Sequence, residues 1–232
     1  MDQSPNDFGR ELARELERVL PADLPRRNEL LLGAQHHAER VLAVNPMLNL
    51  TRITAPRDVA VKHVLDCLLP WRRFGELFPE TAAGPQAVLA DLGSGAGYPG
   101  ILLALLLPHV RVLLIESTQK KATFLQRVVG KLALGNVEVH PVRGELLLAS
   151  RRVDVVTARA VGPARDLLRL LKPTRGQWGR LVVYKSRVAD AEIDLAQAAK
   201  DAEKLGQRGA ITWRATLPDD AGERCLLEFS PA

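Results

Sequence analysis

The chain has 232 residues, enough for one large domain, or one domain with a short appendage, around a sizeable core. Hydrophobic residues make up 47% and charged residues 25%, values that argue against disorder, and the longest apolar run, Ile101 to Leu107, falls far short of a membrane span. The net charge of +5 admits an anionic partner without demanding one.

The first residues, Met1 to Asp7, carry two acids and no apolar stretch, so no secretory signal is expected. From there to about residue 80 the pattern is helical. Leu12, Leu16, Val19 and Leu20 share one face; Leu30, Leu31, Ala34, Ala38, Val41 and Leu42 share another. Pro56, a good first-turn residue, opens a third helix carrying Val59, Val61, Val64, Leu65 and Leu68. Pro79 to Gln86, rich in Pro, Gly and small residues, reads as a linker. The expected division is a helical extension over 1–80, packed on a core domain over 87–232.

From Ala87 strands alternate with helices. Val88 to Leu92 is a short apolar strand ended by glycines, and an apolar helix follows from Pro99 to about Leu107. Arg111 to Glu116 is the second strand. Lys120 to Leu134 is an amphipathic helix, with Phe124, Leu125, Val128 and Leu132 inward and Lys120, Lys121, Arg127 and Lys131 outward. Val137 to His140 and Val153 to Ala158 are strands three and four; a helix near Arg165 to Leu171 leads to Leu181–Lys185, the fifth. After a helix over Asp190 to Leu205, strands at Ala210–Thr216 and Arg224–Phe229 are joined by Pro218 to Gly222, too short for a crossover, which predicts an antiparallel hairpin. Apolar strands separated by helices imply a mostly parallel sheet covered on both faces. The expectation is an α/β, Rossmann-like class I methyltransferase fold, seven-stranded, with a C-terminal antiparallel hairpin and an N-terminal helical extension.

The loop Asp91-Leu92-Gly93-Ser94-Gly95-Ala96-Gly97 follows the first strand, where open α/β sheets bind ligands. Gly95 to Gly100 formally matches the dinucleotide fingerprint GxGxxG. Two points favour S-adenosylmethionine instead. Asp91 at the loop entrance would repel a pyrophosphate but suits the cofactor's ammonium, and Gly93, unlike Gly95, follows the strand directly. Glu116, 25 positions beyond Asp91 at the end of strand two, can accept both ribose hydroxyls. Asp91, Gly93, Gly95, Gly97 and Glu116 are therefore cofactor-binding candidates.

Cytosine C5 methylation needs a cysteine nucleophile, yet Cys67 precedes the core domain and Cys225 lies in the last strand. With no CxxC spacing, these two cysteines also exclude a disulfide framework or a cysteine zinc site and suit a reducing cytoplasm. The Asn/Asp-Pro-Pro-aromatic turn of exocyclic-amine chemistry is missing after strand four, where Thr157-Ala158-Arg159-Ala160-Val161-Gly162 stands, and Asn45-Pro46-Met47 is misplaced for it. A ring nitrogen such as guanine N7 carries a free lone pair and needs alignment rather than a base; the missing base is consistent with that acceptor. His36, His37, His109 and His140 form no metal-binding spacing, and no metal is expected.

Over most of its length the chain resembles the ribosomal RNA small subunit methyltransferase G family, also called glucose-inhibited division protein B. The resemblance is carried by Asn49-Leu50-Thr51-Arg52-Ile53, Lys62-His63-Val64-Leu65-Asp66, the loop Asp91 to Gly100, and Leu114-Ile115-Glu116-Ser117 with Lys120-Lys121 and Phe124-Leu125. It continues in Thr157-Ala158-Arg159-Ala160, Tyr184-Lys185-Ser186 and Gly222-Glu223-Arg224. It implies N7 methylation of a guanosine in 16S rRNA near the decoding region, on 16S rRNA or the 30S subunit, by a protein expected to be monomeric. It places cofactor contacts on Gly93, Tyr98, Gly144, Glu145 and Arg159, with Glu116 on the ribose and Gly144 and Glu145 bordering the adenine. Tyr98, Cys67 and Ser186 depart from the usual Phe or Leu, Ser and Gly. Arg159 and Lys185, after strands four and five, are positioning and RNA-binding candidates; His63 and Asp66, three apart on one helix face, are positioning candidates. No residue is assigned as acid or base. A methyltransferase for a small molecule or protein, or a non-catalytic RNA-binding module on the same fold, are the alternatives.

Overall fold

The computed structural model describes residues 5–80 and 86–232, so most of the predicted linker lies outside the described residues. Two long helices come first, α1 (Pro5–Val19) and α2 (Arg27–Leu48). The third predicted helix is continuous but uneven: α3 (Pro56–Val59) widens into a π-helical stretch (Ala60–Leu65) and tightens again as α4 (Asp66–Leu68). A short α5 (Trp71–Leu77), which the hydrophobic pattern does not announce, closes the helical part.

The core alternates β1 (Val88–Leu92), α6 (Gly100–Leu106), β2 (Arg111–Ile115), α7 (Gln119–Lys131), β3 (Val137–His140) and α8 (Gly144–Leu148). It continues with β4 (Val153–Arg159), α9 (Ala164–Leu171), β5 (Trp178–Lys185), α10 (Val188–Lys204), β6 (Gln207–Thr216) and β7 (Glu223–Pro231). The strands form one seven-stranded sheet in the order β3-β2-β1-β4-β5-β7-β6. β1 to β5 are parallel, β7 pairs antiparallel with both β5 and β6, and β6 carries a register shift between Ile211 and Trp213. The predicted hairpin is present, with β7 slotted between β5 and β6, so that β7 alone runs against the rest.

Alternation along the strands separates two apolar layers, because successive side chains point to opposite faces. Leu89, Val112, Leu114, Val155 and Val182 face α6, α7 and the N-terminal helices, in one cluster with Leu16, Leu30, Val64 and Phe74. Ala90, Leu113, Val156, Leu181 and Leu227 face α9 and α10, in a cluster with Leu168 and Ala198. β1 pairs with β2 on one side and β4 on the other, and strand order reverses across it. That reversal opens a crevice beyond the carboxyl ends of β1 and β4, where ligands of such sheets bind.

Candidate functional site

A cleft of about 620 Å³ lies at that reversal point. Its walls bring together Gly93, Gly95, Tyr98, Glu116, Arg159 and Lys185 from the core with His63 and Asp66 from the helical part. A smaller recess of about 220 Å³ adjoins it; Gly93 borders both, and Gly144 and Glu145 line the recess with Ile115 and Val161. Thus all of the sequence candidates but Asp91 and Gly97 divide between two adjoining spaces.

The glycine loop starts where β1 ends. Gly93 has φ +70°, and a side chain there would also press on Val161 Cγ2 at 2.9 Å, so only glycine fits. The amides of Gly93 and Ser94 both donate to the Ile115 carbonyl, at 2.9 and 3.1 Å, tying the loop to β2. Glu116, 6% exposed, accepts from the Gly95 amide (3.0 Å) and the Thr118 amide (2.7 Å). It therefore fixes the loop and the start of α7 while lining the cleft. Each carboxylate oxygen keeps a second lone pair for a ligand hydroxyl.

Asp91 does not line the cleft. It is 1% exposed and accepts from the Gly100 amide (3.2 Å) and from Thr157 Oγ1 (3.2 Å), which stitches loop, helix and β4 together. The sequence assigned this carboxylate to a ligand ammonium, but its bonds in the structure are to the protein. Burial pushes it up to about 6, against the hydrogen bonds that hold it down. Gly97 is also turned away: a Cβ there would meet His37 Nε2 at 2.9 Å and Ile101, so its surface faces α2.

Tyr98 shows what the sequence missed. Its ring is stacked on His63 (centroids 4.7 Å apart) and lies against His37 (4.5 Å), while its buried hydroxyl has no partner among the described residues. His37 Nε2 meets the Ala96 carbonyl at 2.7 Å, so a histidine to which the sequence assigned no role braces the glycine loop. His63 Nε2 pairs with Thr51 Oγ1 at 2.7 Å. Asn45 in turn holds Thr51, accepting from the Leu50 and Thr51 amides and donating to the Thr51 carbonyl. Asn49 ends α2 with φ 48°, the left-handed turn that asparagine tolerates. No spacing in the sequence announces this chain of contacts, because its members lie on α2, the stretch after it, the π-helical stretch and the glycine loop.

The opposite wall is cationic. Asp66 accepts from Arg159 Nε (3.1 Å) and Nη2 (2.8 Å) on one oxygen and pairs with Arg224 Nε (2.9 Å) on the other. Arg159, 18% exposed, also donates to the Lys62 carbonyl at 2.6 Å. One carboxylate thus faces two guanidinium groups and leaves a net positive charge. The π-helical stretch carries His63 and ends at Asp66; such turns occur often at functional sites. Lys185 lines the cleft but is paired with Asp194, which also accepts the Ala164 amide at 2.9 Å. Lys121, expected outward, is half-buried and lines the cleft.

The chemistry of this set fits an adenosylmethionine. The Glu116 carboxylate can accept hydroxyls, and the Asp66, Arg159 and Arg224 cluster carries a net positive charge that can meet a carboxylate.

His37 and His63 also set the acid stability. Burial pushes His37 to about 4; burial, then Arg159 and His37, push His63 to about 3. Unfolded, both titrate near ~6.5, so below that value the unfolded chain binds more protons and stability falls as pH drops. Asp91 acts oppositely between about 6 and 3.8, since its folded carboxyl is the better proton acceptor. Two histidines outweigh one aspartate. Stability of the free protein is expected to fall between pH 6 and pH 4 by on the order of 1 kcal/mol per pH unit. Guanidinium titrations at each pH check this; constant or rising stability contradicts the assignment.

A family model described as rRNA small subunit methyltransferase G matches residues 32–212. The ribosomal RNA small subunit methyltransferase G of Solibacter usitatus is 42% identical over 217 residues, covering 94% of this chain and 98% of that relative. Its namesake from Lactobacillus acidophilus is 36% identical over 191 residues, covering 81% of this chain and 77% of the relative. Among solved structures, the bifunctional kinase-methyltransferase WbdD superposes with a TM-score of 0.52 at 14% identity, over 71% of this chain and 39% of that one. This last likeness concerns the fold alone.

Proposed function

The chain belongs to the rRNA small subunit methyltransferase G family, and from that premise we propose that it methylates N7 of a guanosine in 16S rRNA near the decoding region. The methyl donor is S-adenosylmethionine, the substrate 16S rRNA or the 30S subunit, and the setting the cytoplasm, with the enzyme acting as a monomer. Among the described residues no helix is long and apolar enough to cross a membrane.

The observation that carries the choice of acceptor is the state of the cleft's ionisable groups. His63 is pushed to about 3 by burial, too weak a base at neutral pH. Asp66 is committed to Arg159 and Arg224, Lys185 to Asp194, and Glu116 to two amides and, in this reading, to the ribose hydroxyls. An acceptor bearing a proton would need one of them as its base. Guanine N7 has a lone pair and no proton to lose, so orientation suffices.

When bound, S-adenosylmethionine supplies an electrophilic methyl group on a sulfonium. Glu116 holds the ribose hydroxyls, Gly93 and Gly95 let the loop backbone approach, and Gly144 and Glu145 border the adenine. Arg159 holds the methionine carboxylate at the cationic wall. Tyr98, clamped between two histidine rings, closes the apolar side of the cleft and excludes water there. Arg224 and Lys185, which line the same cleft, are the candidates to meet the RNA.

The test is incubation of 30S subunits lacking the modification with labelled cofactor, then mapping of the product. N7-methylguanosine in 16S rRNA is the expected result; label in a small metabolite, with none in ribosomal subunits, refutes the reading. A second measurement concerns the ribose. Glu116→Ala removes charge-assisted bonds worth about 1.5–3 kcal/mol, so calorimetry with S-adenosylhomocysteine is expected to show affinity weaker by about 10- to 150-fold. Wild-type affinity would sink the ribose assignment.

A further inference from the structure

Beside the cleft, α2 and α7 leave between them a groove of about 520 Å³. Its floor is apolar, formed by Val44, Met47, Leu48 and Phe124, and Met47 is 75% exposed. Its rim is Arg40, Lys120, Arg127 and Lys131, and no carboxylate lines it. Many basic side chains elsewhere meet acids, as Arg18 meets Asp219, Arg27 meets Glu17 and Arg111 meets Glu138. Among the described residues these four meet none, and Arg40 Nε is buried without a hydrogen-bond partner.

The cations are ordered. Lys120, Arg127 and Lys131 stand seven and eleven residues apart on α7, within about 40° of one another on the helix and over roughly 16 Å of its length. The groove adjoins the cleft: Leu48 lines one and Leu50 the other, and the neighbours Lys120 and Lys121 are divided between them.

We propose that this groove is the track for the single-stranded RNA flanking the target nucleotide, with phosphates on the four cations and a base against the Met47 floor. The inference rests on the RNA reading above. A base entering the cleft must leave its stack, so its neighbours are unpaired or in a loop. An adjoining surface that gathers four cations, unpaired among the described residues, suits their exit, because phosphate charge is neutralised there and counterions are released. The apolar floor serves an unstacked base, since Met adapts to flat surfaces.

The test is the double variant Arg127→Gln/Lys131→Gln, at two exposed positions outside the cleft. Binding to a 16S rRNA fragment carrying the target loop is measured between 50 and 200 mM salt, with S-adenosylhomocysteine affinity and thermal midpoint as controls. Loss of two phosphate contacts is expected to make the log–log salt slope shallower by about 1.4–1.8, with both controls at wild-type values. An unchanged slope overturns the proposal. So does unchanged binding to the RNA fragment with lost methylation of 30S particles, which would make the groove a seat for an acidic protein segment. If the wild-type protein methylates no ribosomal RNA at all, the functional reading falls and this inference with it.

Discussion

Arg159→Ala is expected to lower kcat/KM for methyl transfer by about 100-fold or more. The guanidinium donates to Asp66 through Nε and Nη2 and to the Lys62 carbonyl, so its loss cuts the tie between β4 and the π-helical stretch. Truncating one partner of a buried, hydrogen-bonded charge pair costs about 2–5 kcal/mol in binding. The wall's charge changes as well. With Arg224 then the remaining partner of Asp66 among the described residues, the net positive charge of the cluster becomes zero, and an anionic ligand group loses its counter-charge. Arg159→Lys retains the charge but not the fork, so it is expected to recover only about ten-fold of the loss. Steady-state rates, S-adenosylhomocysteine affinity and a thermal melt together separate the chemical effect from unfolding. Near wild-type kcat/KM in the alanine variant would remove Arg159 from the site.

The largest stability effect is expected far from the cleft. Glu228 on β7 is 2% exposed and takes both oxygens' bonds from Arg73 on α5, Nε to Oε1 and Nη2 to Oε2, each 2.7 Å; Thr212 donates to Oε1 at 2.5 Å. Burial raises the Glu228 carboxyl, but the bonds from Arg73 and Thr212 more than offset it and leave it below the usual range. Arg73→Ala strands a buried carboxylate, a change that costs about 3–5 kcal/mol. A group lowered on folding stabilises above its unfolded value and loses that contribution as pH falls through its folded one. In the variant the stranded carboxylate can take up a proton, so the deficit is expected to be large at pH 7 and to shrink near pH 4. Urea titrations at the two values check both size and direction. Arg73→Met with Glu228→Leu is expected to recover most of the loss, because no buried carboxylate is then left unpaired and Glu76, which also loses Arg73, is exposed to solvent.

Much of the architecture was legible because it is local. Apolar runs ended by glycine, such as Val88 to Leu92, and helices with one apolar face, such as that of Phe124, Leu125 and Val128, obey periodicities of two and 3.6 that any window of the chain displays. Strand direction followed from connection lengths, and the short link Pro218 to Gly222 required the antiparallel pair, whereas the order of the strands came only from the tertiary structure. The π-helical widening at Ala60–Leu65 was not legible, since it changes a hydrogen-bond pattern rather than a residue pattern.

For the site, the sequence by itself determined which residues stand at strand ends: Gly93 after β1, Glu116 after β2, Arg159 ending β4 and Lys185 ending β5. A strand end in such a sheet faces the crevice whatever surrounds it, so the position is fixed by topology. Only the tertiary structure decided what each side chain bonds. It turned the Asp91 carboxylate inward to Gly100 and Thr157, gave Lys185 to Asp194, set Arg224 beside Asp66, and brought His37 and His63 to the two sides of Tyr98. These partners lie up to 158 residues apart, as Asp66 and Arg224 do. Charge pairing and ring stacking act over a few ångströms, so such contacts exist only once packing has brought distant segments together.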